Sequence, residues 1–317
     1  TSGRITHTIQ AAESGTAAGQ AELQRTTQEV KLALGEHYLN VLRSQRLLQL
    51  ADKHQATLQT HRRDVQAFYD KGLVPRSDTL TLDVALAEAQ QKQIQARNAV
   101  ELAQAAYNRA LQRPLDQPTQ LQELDLPPLA GDLAQWQSSA EQQRPELQQL
   151  AHGEQALRAQ AKAVRGQDGP QVALIGAYNR LENPYLANDA FRSVSIGMKW
   201  NVFDGGIVRQ QAAAVSAKAE GLRLQQEETR SLIQLQVRQA MLSQRETDER
   251  LQVAQASVAL AEESLKVARD RYGNGLAPQI EVLDAETRRL GAETSLYQAR
   301  YDRQLAILRL KRAIGEL

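Results

Sequence analysis

Glu281 and Asp284 are three residues apart, which puts two carboxylates on one face of a helix, one turn from each other. Such a pair can gather cations, or it can offset the positive end of the helix dipole. Taken alone, a helix that starts just after Pro278 favours the second use. The five histidines, His7, His37, His54, His61 and His152, are scattered. Only His54 and His61, seven residues apart, share a face, and in a stretch rich in Gln and Arg that face reads as solvated. There is no cysteine, so disulfides, thiol catalysis and thiolate metal sites are excluded. Gly205-Gly206 opens a helix after a strand, but the further glycines of a phosphate-binding loop are missing. It reads as a strand-to-helix joint. This inventory does not make an enzyme, and neither a cofactor nor a metal is expected.

The elements around these residues follow from composition and period. The 317 residues carry 38 Lys+Arg against 37 Asp+Glu, a net charge of +1, which argues against a nucleic-acid binder with its basic face. Aromatic residues are only 4%, too few for a large aromatic core. No run of about 18 apolar residues occurs, so no transmembrane helix is expected.

The chain repeats itself. Phe68-Tyr69-Asp70-Lys71-Gly72-Leu73-Val74-Pro75 reads like Arg271-Tyr272-Gly273-Asn274-Gly275-Leu276-Ala277-Pro278, 203 residues later. The same offset pairs Leu48-Gln49 with Leu251-Gln252 and Gln95-Ala96-Arg97 with Gln298-Ala299-Arg300. Alanine matches mean little in helices of this composition. Matching Tyr, Gly and Pro around a turn, in one register, indicates duplication. Each copy reads as two long helices joined at that turn. Leu251, Val258, Leu265 and Tyr272 recur every seven residues, with Ala254, Ala261 and Ala268 at the complementary spacing. That is a coiled-coil seam. Leu34, Val41 and Leu48, then Ala51, Leu58 and Val65, play the same part in the first copy. The proline-free stretch 206–272 would make a rod of roughly 100 Å. At the turns, Gly72 and Gly275 can take the left-handed conformation that ends a helix. Pro75 and Pro278 then start the return helix, and Asp78 and Glu281 fall in its first turn.

Four segments are expected: a first helical hairpin over 1–112 with its tip near 70–76, and a proline-rich linker over 113–145. A helix plus a β-hairpin follows over 146–205, with strands at 171–179 and 193–203. The second helical hairpin covers 206–317, with its tip near 272–279. In the second strand Val194, Ile196, Met198, Trp200 and Val202 alternate with polar or small residues. Alternation alone fits a surface hairpin as well as a membrane one. In a membrane, such a hairpin must close a barrel with other strands.

With these features assembled, the chain resembles the TolC-like outer-membrane efflux channel family. The resemblance rests on the duplication and on Tyr272-Gly273-Asn274-Gly275-Leu276 followed by Ile280-Glu281-Val282-Leu283-Asp284-Ala285. It rests also on Arg144-Pro145-Glu146-Leu147 and on Trp200-Asn201-Val202-Phe203-Asp204-Gly205-Gly206. It implies a mainly α fold in which tandem-duplicated coiled-coil hairpins form a periplasmic α-barrel, with the β-hairpin belonging to an outer-membrane β-barrel. It implies a homotrimer in the Gram-negative outer membrane, in contact with its lipid, that works passively with a periplasmic adaptor and an inner-membrane pump. The resemblance also assigns roles. Glu281 and Asp284 would ring the channel constriction, and Tyr272 and Asp78 would close the tip through a hydrogen bond. Gly72, Leu73, Gly275 and Leu276 would dock the adaptor. Ala277 stands where the family often has a basic residue, which should weaken the closing network. Family members contribute two β-hairpins, and this chain contains one, so an N-terminally shortened form is expected. The competing reading is a periplasmic adaptor or a coiled-coil scaffold, which would not need both tandem hairpins and the alternating strand.

Overall fold

A computed structural model describes residues 2–180, 185 and 190–317 of the chain. The turn expected at Asn183-Pro184 and Asn188-Asp189 lies outside the described residues, as does Thr1, which the repeat would align with Asp204. In order, the elements are α1 (Arg4–Asp70), α2 (Arg76–Ala110), α3 (Leu133–Gln143), α4 (Pro145–Arg165), β1 (Gln171–Arg180), β2 (Ala190–Lys199), α5 (Ile207–Gly273) and α6 (Gln279–Ile314). The long helices α1 and α5 have 67 residues each. Their starts, Arg4 and Ile207, are 203 residues apart, and so are those of α2 and α6, Arg76 and Gln279. The repeat seen in the residues is therefore a repeat of elements.

The chain divides into two compact units, one of Thr1–Thr27 with Glu141–Gln234 and one of Gln28–Ala140 with Leu235–Leu317. The second unit holds both helical turns. Its core gathers Leu58 and Val65 of α1, Leu82 and Ala89 of α2 and Leu283 of α6. A second cluster joins Leu265 and Ala268 of α5 to Val282 and Ala285 of α6, and Tyr272 packs against both clusters. Val65, Leu82 and Val282 are fully buried, each burial being worth about 1.5–3 kcal/mol. The heptad leucines and valines thus bury where two hairpins face each other. The linker after α2 is tied down by polar contacts within this unit. Buried Asn108 donates to the carbonyls of Leu115 (2.9 Å) and Gln117 (2.8 Å). Arg46 reaches Glu123 at 2.7 Å, and the Tyr301 hydroxyl donates to the same carboxylate at 3.1 Å.

In the first unit, Arg144 explains its own motif. Arg144 is 5% exposed, and its guanidinium grips Glu146 through two bonds of 3.0 and 2.9 Å, while Pro145 opens α4 where no amide hydrogen is needed. The strands pair antiparallel, with Val172 opposite Met198, Leu174 opposite Ile196 and Gly176 opposite Val194. These residues share one face, and Leu174, Val194 and Ile196 are 73–77% exposed on it. The other face is mostly small or polar, with Ala173, Gly197, Ser195 and Ser193, but also carries Ile175 and Phe191. The second strand departs from the expected 193–203: it begins at Ala190 and ends at Lys199. The ladder stops because the next partner would be Pro170, which has no N–H to give. Trp200 instead donates its indole N–H to the Asp168 carbonyl at 2.9 Å. Trp200, Val202 and Phe203 therefore lie on the joint into α5 and not in the strand. There Gly205 and Gly206 take φ of 66° and 83°, and the Asp204 carboxylate accepts the amides of Gly206 (2.7 Å) and Val208 (2.8 Å). Those amides hold the Asp204 pKa below the usual carboxylate range.

Candidate functional site

The two helical turns have the same geometry. At the first, the Gly72 amide donates to the Tyr69 carbonyl (2.8 Å) and the Leu73 amide to that of Phe68 (2.9 Å). At the second, the Gly275 amide donates to the Tyr272 carbonyl (2.9 Å) and the Leu276 amide to that of Arg271 (2.8 Å). This is the Schellman pattern, closed by glycine in the left-handed region; φ is 72° at Gly72 and 71° at Gly275. Pro75 and Pro278 follow at φ −74° and −75° as the N-caps of α2 and α6. Each turn pushes one leucine outward, Leu73 at 68% and Leu276 at 70% exposure.

The acidic pair does not stand as two free charges. Glu281 receives the Arg271 guanidinium at 3.0 Å across the second turn. Asp284, one turn further along α6, is exposed and has no ion pair among the described residues. An exposed ion pair adds little stability, but it does leave Asp284 as the carboxylate with uncompensated charge.

The expected hydrogen bond from Tyr272 to Asp78 is absent. The Tyr272 hydroxyl is buried without a hydrogen-bond partner among the described residues. Its ring is held by apolar packing in both clusters and by an edge contact with His61, 6.0 Å between centroids. Burial first, and the negative charge of Asp78 second, raise the Tyr272 pKa. The Asp78 amide meanwhile bonds to the Pro75 carbonyl at 3.1 Å.

The reading of His54 and His61 as a solvated face is overturned. His54 is 9% exposed, and His61 lies 2.7 Å from the Gln279 amide nitrogen. Both belong to a polar seam between the hairpins that also holds Glu286, Arg289 and Glu293 of α6, all buried. Arg289 donates to Glu286 (3.1 Å) and Glu293 (2.7 Å), and Arg269 of α5 also binds Glu286. Seven-residue spacing was the available signal: it places His54 and His61 on the helix side that contributes Leu58 and Val65.

Duplicated coiled-coil hairpins with capped turns, together with a two-stranded β-hairpin whose apolar face is exposed, are the architecture of a TolC-like channel protomer. Residues 136–316 match the outer membrane efflux protein family, and the chain belongs to it. The solved structure of the outer-membrane channel OprN superposes with a TM-score of 0.86 at 22% identity, over 99% of this chain and 72% of that one. The outer membrane protein VceC from Vibrio cholerae gives 0.84 at 18% identity, over 99% and 76%. In sequence, the alkaline protease secretion protein AprF of Pseudomonas aeruginosa is 23% identical over 307 residues, 92% of this chain. The chain spans 62% of the length of that relative. The fold is mainly helical and is shared with these channels. The family's place is the outer membrane, with the helices extending into the periplasm.

Proposed function

We propose that the chain is the outer-membrane component of a tripartite efflux or type I secretion system, a passive conduit and not an enzyme. Three copies close the tunnel, and a periplasmic adaptor links it to an inner-membrane pump. The observation that carries this reading is the pair of matching tips, each with a glycine-closed turn and an outward leucine. In the conduit Leu73 and Leu276, with Gly72 and Gly275 shaping their turns, dock the adaptor. Asp284 supplies most of the negative charge of the throat, and Glu281 contributes less because Arg271 offsets it. Near the closing tip Asp78 acts on Tyr272 through its charge, which with burial raises the Tyr272 pKa. The four segments act as first hairpin, equatorial linker, barrel strands and second hairpin. AprF is named for secretion of an alkaline protease, which keeps protein export beside small-molecule efflux as the cargo class.

Complementation tests the reading. Removing the protein from its host should abolish export that depends on the adaptor, and restoring it should recover that export. Export that proceeds unchanged without it would contradict the proposal.

A further inference from the structure

Near the tips, packing between the hairpins turns polar. His61 of α1 and Gln279 of α6 meet at 2.7 Å, nitrogen to nitrogen, and link the outgoing helix of the first hairpin to the return helix of the second. The His61 ring also lies against Tyr272 of α5, with an interplanar angle of 78°. Several buried polar atoms here lack a hydrogen bond among the described residues: His54 Nδ1, Tyr272 Oη and Gln279 Oε1. Unsatisfied buried groups are a cost of joining the helices here. Farther along, α1 and α6 are joined by ion pairs such as Arg309 with Glu36 at 3.0 Å. Near the tip the link runs instead through an imidazole, a group whose ordinary pKa is about 6.5.

Building on the channel reading, we propose that His61 and Gln279 form a proton-released latch: neutral His61 accepts the Gln279 amide hydrogen and holds α6 to α1, and protonation of His61 frees the tip of the second hairpin. With both groups presenting nitrogen, one ring nitrogen must be the acceptor, which requires a neutral imidazole. Protonation sets N–H against N–H. Turning the Gln279 amide would let its oxygen accept from the charged ring, but the cation would still be half-buried beside Arg269. The charged groups around the ring are Arg269 from α5, Glu286 from α6 and Asp64 from its own helix. On α2, Asp83 is taken by Arg62 at 2.6 Å. Burial first and Arg269 second hold the His61 pKa below its ordinary value, against Asp64, Glu286 and the Gln279 amide, whose turned orientation would favour the charged ring; the lowering influences prevail. A closed seam therefore binds fewer protons than a parted one, and acid favours parting. The latch is whole above the ordinary histidine value of about 6.5 and is lost as pH falls through the lowered one. Protons can reach the ring, because His61 lines an open groove of about 780 Å³ with Lys53, Asp64, Arg269 and Tyr272.

Spin labels at Leu73→Cys and Leu276→Cys test the latch, since the chain has no cysteine of its own. The labelled full-length protein is diluted into unlabelled protein, so that one labelled chain is read per assembly. The tip-to-tip distance should widen from about pH 8 to about pH 5, across the histidine range. His61→Gln should stay narrow at both values, while His54→Gln should still widen. Gln279→Leu, which removes the donor, should already be wide at the higher pH. Equal distances at both pH values in the parent would overturn the latch, as would widening that survives in His61→Gln or a narrow Gln279→Leu. The distance is read without cargo. Export is read separately on the unlabelled parent, in which Leu73 and Leu276 are intact. Tips blind to pH, where that parent restores export, sink the latch alone; tips that widen, where that parent fails to restore export, sink the channel reading alone.

Discussion

Gly72 and Gly275, 203 residues apart, hold the same left-handed backbone, φ 72° and 71°, and close their helices through the same pair of hydrogen bonds. No heavy atom lies within 4 Å of where a Cβ would sit on either, so the cost of a side chain there is backbone strain alone. Gly72→Ala or Gly275→Ala should destabilise the tip unit by ~1–2 kcal/mol each. Asparagine, which tolerates this conformation better, should cost less. Urea unfolding followed by circular dichroism would check both, and an alanine variant as stable as the parent would contradict the strain argument.

The buried cluster on α6 is a larger liability. Glu286 side chain is 2% exposed and is gripped by Arg289 at 3.1 Å and by Arg269. Removing one partner of a buried pair costs ~3–5 kcal/mol, because the other charge stays buried. Glu286→Leu should lose that much, with Arg289 left to Glu293 alone. A loss below about 1 kcal/mol on urea unfolding would show that the cluster relaxes into water, at odds with the buried-pair cost.

Most of the architecture was legible because it depends on short-range chemistry that repeats. Glycine three residues after a helical tyrosine, with proline three residues further on, specifies the turn in both copies, and the seven-residue row specifies the seam. The end of β2 was missed because the alternation of apolar residues runs on through Val202. The ladder is ended by what lies across from it, at Pro170, and no property of the strand itself reveals that. The seam histidines were missed for a related reason. Neighbours rich in Gln and Arg describe the helix as a whole, whereas burial is decided by the side on which His54 and His61 fall. Glu281 read, from its place in the first turn of a helix, as an acid that offsets the dipole; the turn also brings Arg271 back onto it.

The exposed apolar face of the β-hairpin should meet lipid. Ile196, 77% exposed and opposite Leu174, lies near the middle of its strand. Ile196→Arg in the full-length protein should cost ~2–4 kcal/mol of membrane insertion if the site lies near the midplane. Heat-modifiable migration of outer-membrane fractions would reveal it as a drop in assembled protein. Ser195→Arg, on the opposite face, should assemble far better. Equal assembly of the two variants would contradict the lipid-facing assignment.

Leu73 and Leu276 project from turns that are closed by the same pair of backbone hydrogen bonds. Changing both to Asp should leave helix content unchanged by circular dichroism. It should also abolish adaptor-dependent export and capture of the adaptor on the purified protein. Intact export together with intact capture would count against docking at the tips.

The conduit itself is tested most directly by single-channel conductance of the full-length protein in planar bilayers, with ion selectivity read from reversal potentials. The parent should give discrete cation-selective conductance that multivalent cations block. Asp284→Asn should reduce both selectivity and block more than Glu281→Gln does, because Arg271 already offsets Glu281, and the double variant should reduce them most. Absence of discrete conductance would contradict the channel, and a double variant with unchanged selectivity and unchanged block would remove these acids from its throat.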